Sequence, residues 1–265
     1  MLFVMPEGHT IHRLARDLAE DLLDRPVTAT TRQERFADGA RRLDGRALAG
    51  TEAHGKHLFL HWDDGEVLYV HLGLIGKFQR LELPARAPSP NLRLRLTGDA
   101  TAWDLTGPMT CELREPDVVD QVTASLGPDP LRRRADPQPF IDAVRRSRKP
   151  IGALLLDQSV IAGIGNVYRA EVLHLAGIDP SCPGQSLSED QVRTLWRLSV
   201  EQLRLGLKRN RIVTVPLGGR RLTSISREES FHVYKQERCR TCGADVVRAP
   251  VGNRTSYACA TCQPA

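Results

Sequence analysis

Apolar positions recur at helical spacing over residues 11–23: Ile11, Leu14, Leu18 and Leu22 share one face, and Thr10 can cap the start. Over 27–112 the period changes. Short apolar runs alternate with turn signals at His57–Trp62, 66–71 and 92–96, and Asp63-Asp64-Gly65 joins the first two as a hairpin turn. This half predicts a β-sandwich. Pro84, Pro88 and Pro90 mark a loop. After Gly127-Pro128-Asp129-Pro130 helical spacing returns at 140–146, 151–156, 165–175 and 188–207, the last opened by the start signal Leu187-Ser188-Glu189-Asp190. Residues 208–230 are basic and turn-rich and read as a mobile linker or loop. Residues 231–265 form a cysteine-bearing unit too short to fold without a metal. The pattern predicts an α+β chain with a β domain over 1–125, a helical domain over 126–230 and an appendage over 231–265. No internal repeat is present.

Composition narrows the class. Of 265 residues, 41% are hydrophobic and 26% charged, which excludes wholesale disorder. No apolar run approaches the roughly 18 residues that cross a bilayer. The first four residues are apolar but lack a basic leader and a cleavage pattern, so the expectation is a cytosolic chain. The net charge of +5 is uneven. Residues 201–265 hold 12 Lys and Arg against 5 Asp and Glu, a net of +7 that points to a polyanion such as nucleic acid. Arginine dominates, 32 of the 37 basic residues, which coding bias also gives.

Cys239-x2-Cys242-x16-Cys259-x2-Cys262 has the spacing of two knuckles around a tetrahedral thiolate zinc ion. A pair of disulfides is the alternative and fits an oxidising compartment. Cys111 and Cys182 have no partner at metal spacing and read as buried small apolar residues.

Four further segments carry candidate chemistry. In Met5-Pro6-Glu7-Gly8-His9-Thr10, a Met-Pro start that loses its methionine leaves a secondary amine, which can attack a sugar C1′ and form an iminium. Glu7 can serve as the neighbouring general acid/base. An ordinary Pro-Glu helix entry is the competing reading. Lys56 follows Gly55 at a strand start and can reach a phosphate, or be a surface lysine. In Ile161–Glu171, two glycines before Asn166 at a helix start could aim backbone N–H groups at an anion, or serve a tight helix–helix turn. Arg254, between the knuckles, could clamp a phosphate from a metal-pinned hairpin, or be solvated on a structural ribbon.

Together these segments resemble the formamidopyrimidine-DNA glycosylase/endonuclease VIII family of base-excision repair. The likeness runs from Met5 to Gln263 through the PEG start, GKHLF, HLGLIGKF at residues 71–78, LGPDPL at 126–131, DQSVIAGIGNVYRAEVL at 157–173 and the final CxxCQ. The opening PEGHTIHR is most similar to the actinobacterial endonuclease VIII branch. The resemblance implies a β-sandwich with a leading helix, then a helix-two-turns-helix domain ending in a zinc β-hairpin, with DNA between the two. It implies a glycosylase and AP lyase that flips the damaged nucleotide out of the duplex. Pro6 matches the nucleophile and Glu7 the acid/base. Lys56 and His71 match phosphate-side residues, Asn166 a contact to the DNA backbone, and Arg254 the zinc-finger arginine of phosphate binding and δ-elimination. It also implies one structural Zn2+, no small-molecule cofactor, no membrane, a monomer, damaged double-stranded DNA as partner, and a cytoplasmic, nucleoid-associated location.

Three features depart from the family pattern. Met1-Leu2-Phe3-Val4 precedes the family start, and while those residues persist the Pro6 nitrogen is an amide that cannot form a Schiff base. A catalytically silent or abasic-site-only relative is the alternative this raises. The loop that fills the space of the flipped base reads Gly73-Leu74-Ile75, with Leu74 an apolar wedge but no aromatic third residue. Residues 208–230 do not resemble the loop that closes over 8-oxoguanine, which favours oxidised pyrimidines.

Overall fold

The computed structural model describes residues 6–264; the upstream residues on which the start-site question turns, Met1 to Met5, lie outside them. The chain divides into two compact units, 1–125 and 126–265. Among the described residues no helix is long and apolar enough to cross a membrane.

The first unit opens with α1 (Gly8–Leu22), then β1 (Thr28–Thr30), α2 (Ala37–Leu43), β2 (Leu48–His54), β3 (His57–Trp62), β4 (Val67–His71), β5 (Lys77–Glu82), β6 (Leu92–Thr97), β7 (Thr101–Thr106), β8 (Thr110–Arg114) and α3 (Val118–Thr123). Helix α1 starts earlier than its apolar stripe predicts. Glu7 occupies the N-cap position and the Thr10 N–H donates to Glu7 O at 2.9 Å, so Thr10 lies in the first turn rather than capping it. The expected sandwich is two antiparallel sheets of order β2-β3-β4-β8 and β1-β6-β7-β5. Leu58, Leu60, Leu68 and Val70 of one sheet, Leu96 and Leu105 of the other, and Ile11 and Leu18 of α1 share one core. The reverse face of the first sheet is also covered: Phe59 and Val67 pack with Val118 of α3. That double burial is why β3 reads as a continuous apolar run. Helix α2, inside the β-rich stretch, was not evident from apolar spacing.

The second unit contains α4 (Gln138–Arg145), α5 (Ile151–Leu154), α6 (Asn166–Ala176), α7 (Glu189–Arg209), β9 (Val247–Val251) and β10 (Arg254–Ala258). The start signal before α7 is a capping box: the Gln191 N–H donates to Ser188 Oγ and the Ser188 N–H to Gln191 Oε1. Residues 208–230 are not a bare linker. Arg211 donates to the carbonyls of Ile225 and Ser226, and Arg220 pairs with Glu229, which accepts the Ser226 N–H. Arg211 and Arg220, two of the basic residues that suggested a solvated segment, are spent on its own turns. Helix α6 is buried from Asn166 through His174, charged residues included.

Candidate active site and nucleic-acid interface

In the first unit, Pro6 is half-buried directly before α1 and Glu7 is 1% exposed. His9 is buried beside them, and burial pushes its imidazole down to about 4, so it is neutral at physiological pH. Helix α1 is fixed to the sheet by the Thr51 hydroxyl, which donates to Ala15 O at 2.7 Å.

Lys56 occupies the turn between β2 and β3, where Gly55 takes a φ of +56° that suits glycine. The β3–β4 register sets His57 opposite His71, with ring centroids 4.8 Å apart. His57 Nδ1 and the Tyr69 hydroxyl share a 2.8 Å hydrogen bond. Burial, then the neighbouring His71, His54 and Lys56, push His57 down to about 4. Burial and then Lys56 also lower His71, whose Nδ1 is buried without a hydrogen-bond partner among the described residues. The fold therefore groups Lys56 and His71, both expected from sequence, with His57 and Tyr69, which were not. Strand period and the Asp63–Gly65 turn were the signal for them, since they fix which residues face each other.

Leu74 lies between β4 and β5 and is 50% exposed, with Ile75 at 72%. Gly73, at φ +66°, lies against Met109, itself 69% exposed: a Cβ on Gly73 would stand 2.9 Å from Met109 Cβ. The exposed apolar surface is thus wider than the single wedge read from sequence.

In the second unit, Asn166 is the first residue of α6, and its Nδ2 donates to Thr255 O at 3.1 Å. Arg254, the neighbour of Thr255, is exposed at the start of β10. The fold thus brings Asn166 and the Arg254 segment together across 89 residues of sequence. The glycine turn before Asn166 is less open than its sequence suggests. The Gly163 N–H donates to Gln158 Oε1 at 3.0 Å, and Gln158 Nε2 donates to Leu156 O and Ile164 O.

The four Sγ atoms of Cys239, Cys242, Cys259 and Cys262 lie within 4.8 Å of one another, beside the β9–β10 hairpin. Cys239–Cys262 is 3.9 Å and Cys242–Cys259 3.4 Å, and all six cysteines are free, so the disulfide alternative fails. Four metal–sulfur bonds of about 2.3 Å in a tetrahedron set the sulfurs roughly 3.8 Å apart, close to the spacing found. Of the other two, Cys111 is buried as expected, but Cys182 is half-buried, 3.2 Å from Ser186 Oγ.

Comparison with known proteins identifies the family. The formamidopyrimidine-DNA glycosylase N-terminal domain matches residues 5–110, and the formamidopyrimidine-DNA glycosylase H2TH domain matches 126–215. Endonuclease 8 1 of Mycobacterium tuberculosis is 42% identical over 98% of this chain and 100% of its own. Formamidopyrimidine-DNA glycosylase of Nocardia farcinica is 33% identical over 98% of each chain. Among solved structures, Lactococcus lactis formamidopyrimidine-DNA glycosylase bound to DNA containing an AP site matches with a TM-score of 0.81 and 26% identity, covering 98% of this chain and 100% of that one. The same enzyme with DNA containing N7-benzyl-Fapy-dG matches at 0.82 and 25%, with the same coverage. This chain belongs to the formamidopyrimidine-DNA glycosylase/endonuclease 8 family and is a DNA glycosylase of DNA repair.

Proposed function

We propose that the chain is a bifunctional DNA glycosylase and AP lyase of base-excision repair that removes oxidised pyrimidines from double-stranded DNA. One observation carries the reading: in a chain of this family, Pro6 stands directly ahead of a buried carboxylate at the start of α1. In the working protein Pro6 is the first residue and its nitrogen a secondary amine. That nitrogen attacks C1′, the N-glycosidic bond breaks, and the base leaves with the electron pair and takes a proton. The Pro6 nitrogen gives up its own proton, its lone pair expels the ring oxygen O4′, which takes a proton, and the opened sugar is joined to Pro6 as an iminium at C1′. Loss of a C2′ proton then expels the 3′ phosphate, and water hydrolyses the imine to restore the amine. Glu7 moves protons in these steps. A second, δ-elimination would expel the 5′ phosphate, with Arg254 at that phosphate.

Lys56 and His71 hold phosphate beside the lesion, Lys56 as a cation and His71 as a neutral imidazole. Asn166 and Arg254 hold the backbone. Leu74 enters the space left by the extruded nucleotide. The four cysteines would hold one Zn2+ through four thiolates; it would fix the hairpin and leave bond cleavage to the protein's own residues. The chain works as a monomer without a small-molecule cofactor. Excision assays on duplexes that differ only in the lesion test the preference. Oxidised pyrimidines should be released faster than 8-oxoguanine, and the reverse order overturns that choice.

A further inference from the structure

The tip of the β9–β10 hairpin is gripped from inside the fold. Arg169, one turn beyond Asn166 on α6, is fully buried. Its Nη1 donates to Val251 O at 2.9 Å and lies 3.4 Å from Gly152 O, while Nη2 donates to Thr255 O at 2.7 Å. Asn166 Nδ2 donates to the same Thr255 carbonyl. Residues three apart on a helix are neighbours, so both donors come from one patch of α6. Val251 ends β9 and is paired with Arg254, which begins β10. Arg169 therefore bridges the two strands across the turn that carries Arg254. The turn is also seated sterically: a Cβ on Gly252 would lie 3.3 Å from Ala153 Cβ, and one on Gly152 would lie 3.1 Å from Val251 Cγ1.

A buried guanidinium is costly unless its donors are satisfied. A planar fork can serve two carbonyls at once, and an ammonium on a flexible stem cannot reproduce that. The cysteines lie at the other end of the hairpin, Cys239 and Cys242 before β9 and Cys259 and Cys262 after β10. The metal site thus fixes the base of the hairpin and leaves its tip to other contacts.

We propose that Arg169, assisted by Asn166, is a positioning residue for Arg254: it fixes the hairpin tip so that Arg254 meets the DNA backbone. This rests on the reading of Arg254 as a phosphate-binding residue. Contacts at a reacting centre tolerate little displacement, about 1 Å at most, so a loosened tip should silence Arg254 without touching it.

The test uses the full, zinc-loaded chain and a duplex with one uncleavable abasic analogue. Arg169→Met, Arg169→Lys, Arg254→Ala and the Met/Ala double variant are compared with wild type. Zinc content, hydrogen exchange over residues 247–258 and DNA affinity are read for each. Arg169→Met should keep its zinc and exchange its hairpin amides about tenfold faster. It should also bind DNA about tenfold more weakly, matching Arg254→Ala. The double variant should lie within about twofold of either single one, because both remove the same contact. Arg169→Lys should fall between wild type and Arg169→Met. If Arg169→Met does not fold, Arg169→Lys must show the same non-additivity with Arg254→Ala. Zinc-loaded variants with native exchange and native affinity overturn the proposal, as do losses that multiply in the double variant. If Arg254→Ala alone binds like wild type, the reading of Arg254 fails, and faster exchange in Arg169→Met would still identify the anchor.

Discussion

The imidazole of His57 lies 4.8 Å from that of His71 across the β3–β4 pair, and the folded chain favours the neutral form of both beside Lys56. His57 is pushed down to about 4 from an ordinary value of 6.5. Between those values the unfolded chain binds the proton and the folded chain does not. Stability from this site is therefore full above pH 6.5 and is lost as pH falls toward 4, with a slope for one proton of about 1.4 kcal/mol per pH unit. Denaturant midpoints at pH 7 and pH 5 should fall further for wild type than for His57→Phe, which cannot titrate. Equal losses would contradict the assignment.

Glu7→Gln should keep DNA affinity and lose base excision by about 10²–10⁴-fold. The amide fills the same space but cannot exchange a proton. Single-turnover excision and a binding titration on one lesion duplex separate the two effects. A variant with normal turnover would remove Glu7 from the chemistry.

Glu171 is fully buried, and its carboxylate accepts the N–H groups of His232, Val233 and Tyr234 at 2.7, 2.9 and 2.8 Å, and the Thr214 hydroxyl. It ties Thr214, within segment 208–230, and residues 232–234, just after it, to α6. Glu171→Gln turns an NH2 group toward donors and should cost about 3 kcal/mol in urea unfolding. A loss below about 1 kcal/mol would mean the segment is held by other contacts.

Elemental analysis should find one zinc per chain. Chelation, or Cys259→Ser at the fully buried ligand, should raise hydrogen exchange throughout residues 231–264 and abolish tight binding to damaged DNA. Native-rate excision by zinc-free protein would separate the hairpin from DNA binding.

Much of this was legible where one segment specifies its own structure. Leu187-Ser188-Glu189-Asp190 announces α7, the apolar stripe announces α1, and the cysteine spacing announces the cluster of four thiols. What escaped depends on distant partners. Arg169 and Glu171 carry no burial signal in the sequence, yet both are buried, because Thr255 and His232 bring their backbone groups from 86 and 61 residues away. Helix α1 begins before its apolar stripe because Glu7 and Gly8 are buried near its end without being apolar. The pairs Lys56–His71 and Asn166–Arg254 were found as separate motifs, and only strand register and the hairpin bring their members together.

The central claim is a covalent bond between Pro6 and the sugar, and trapping it is the direct test. Native protein of known intact mass is mixed with borohydride and a duplex carrying one oxidised pyrimidine, and the DNA-linked peptide is mapped by mass spectrometry. The expected result is a single adduct on the nitrogen of a chain whose first residue is Pro6. An adduct on a lysine, or on a chain that still carries Met5 ahead of Pro6, would contradict it.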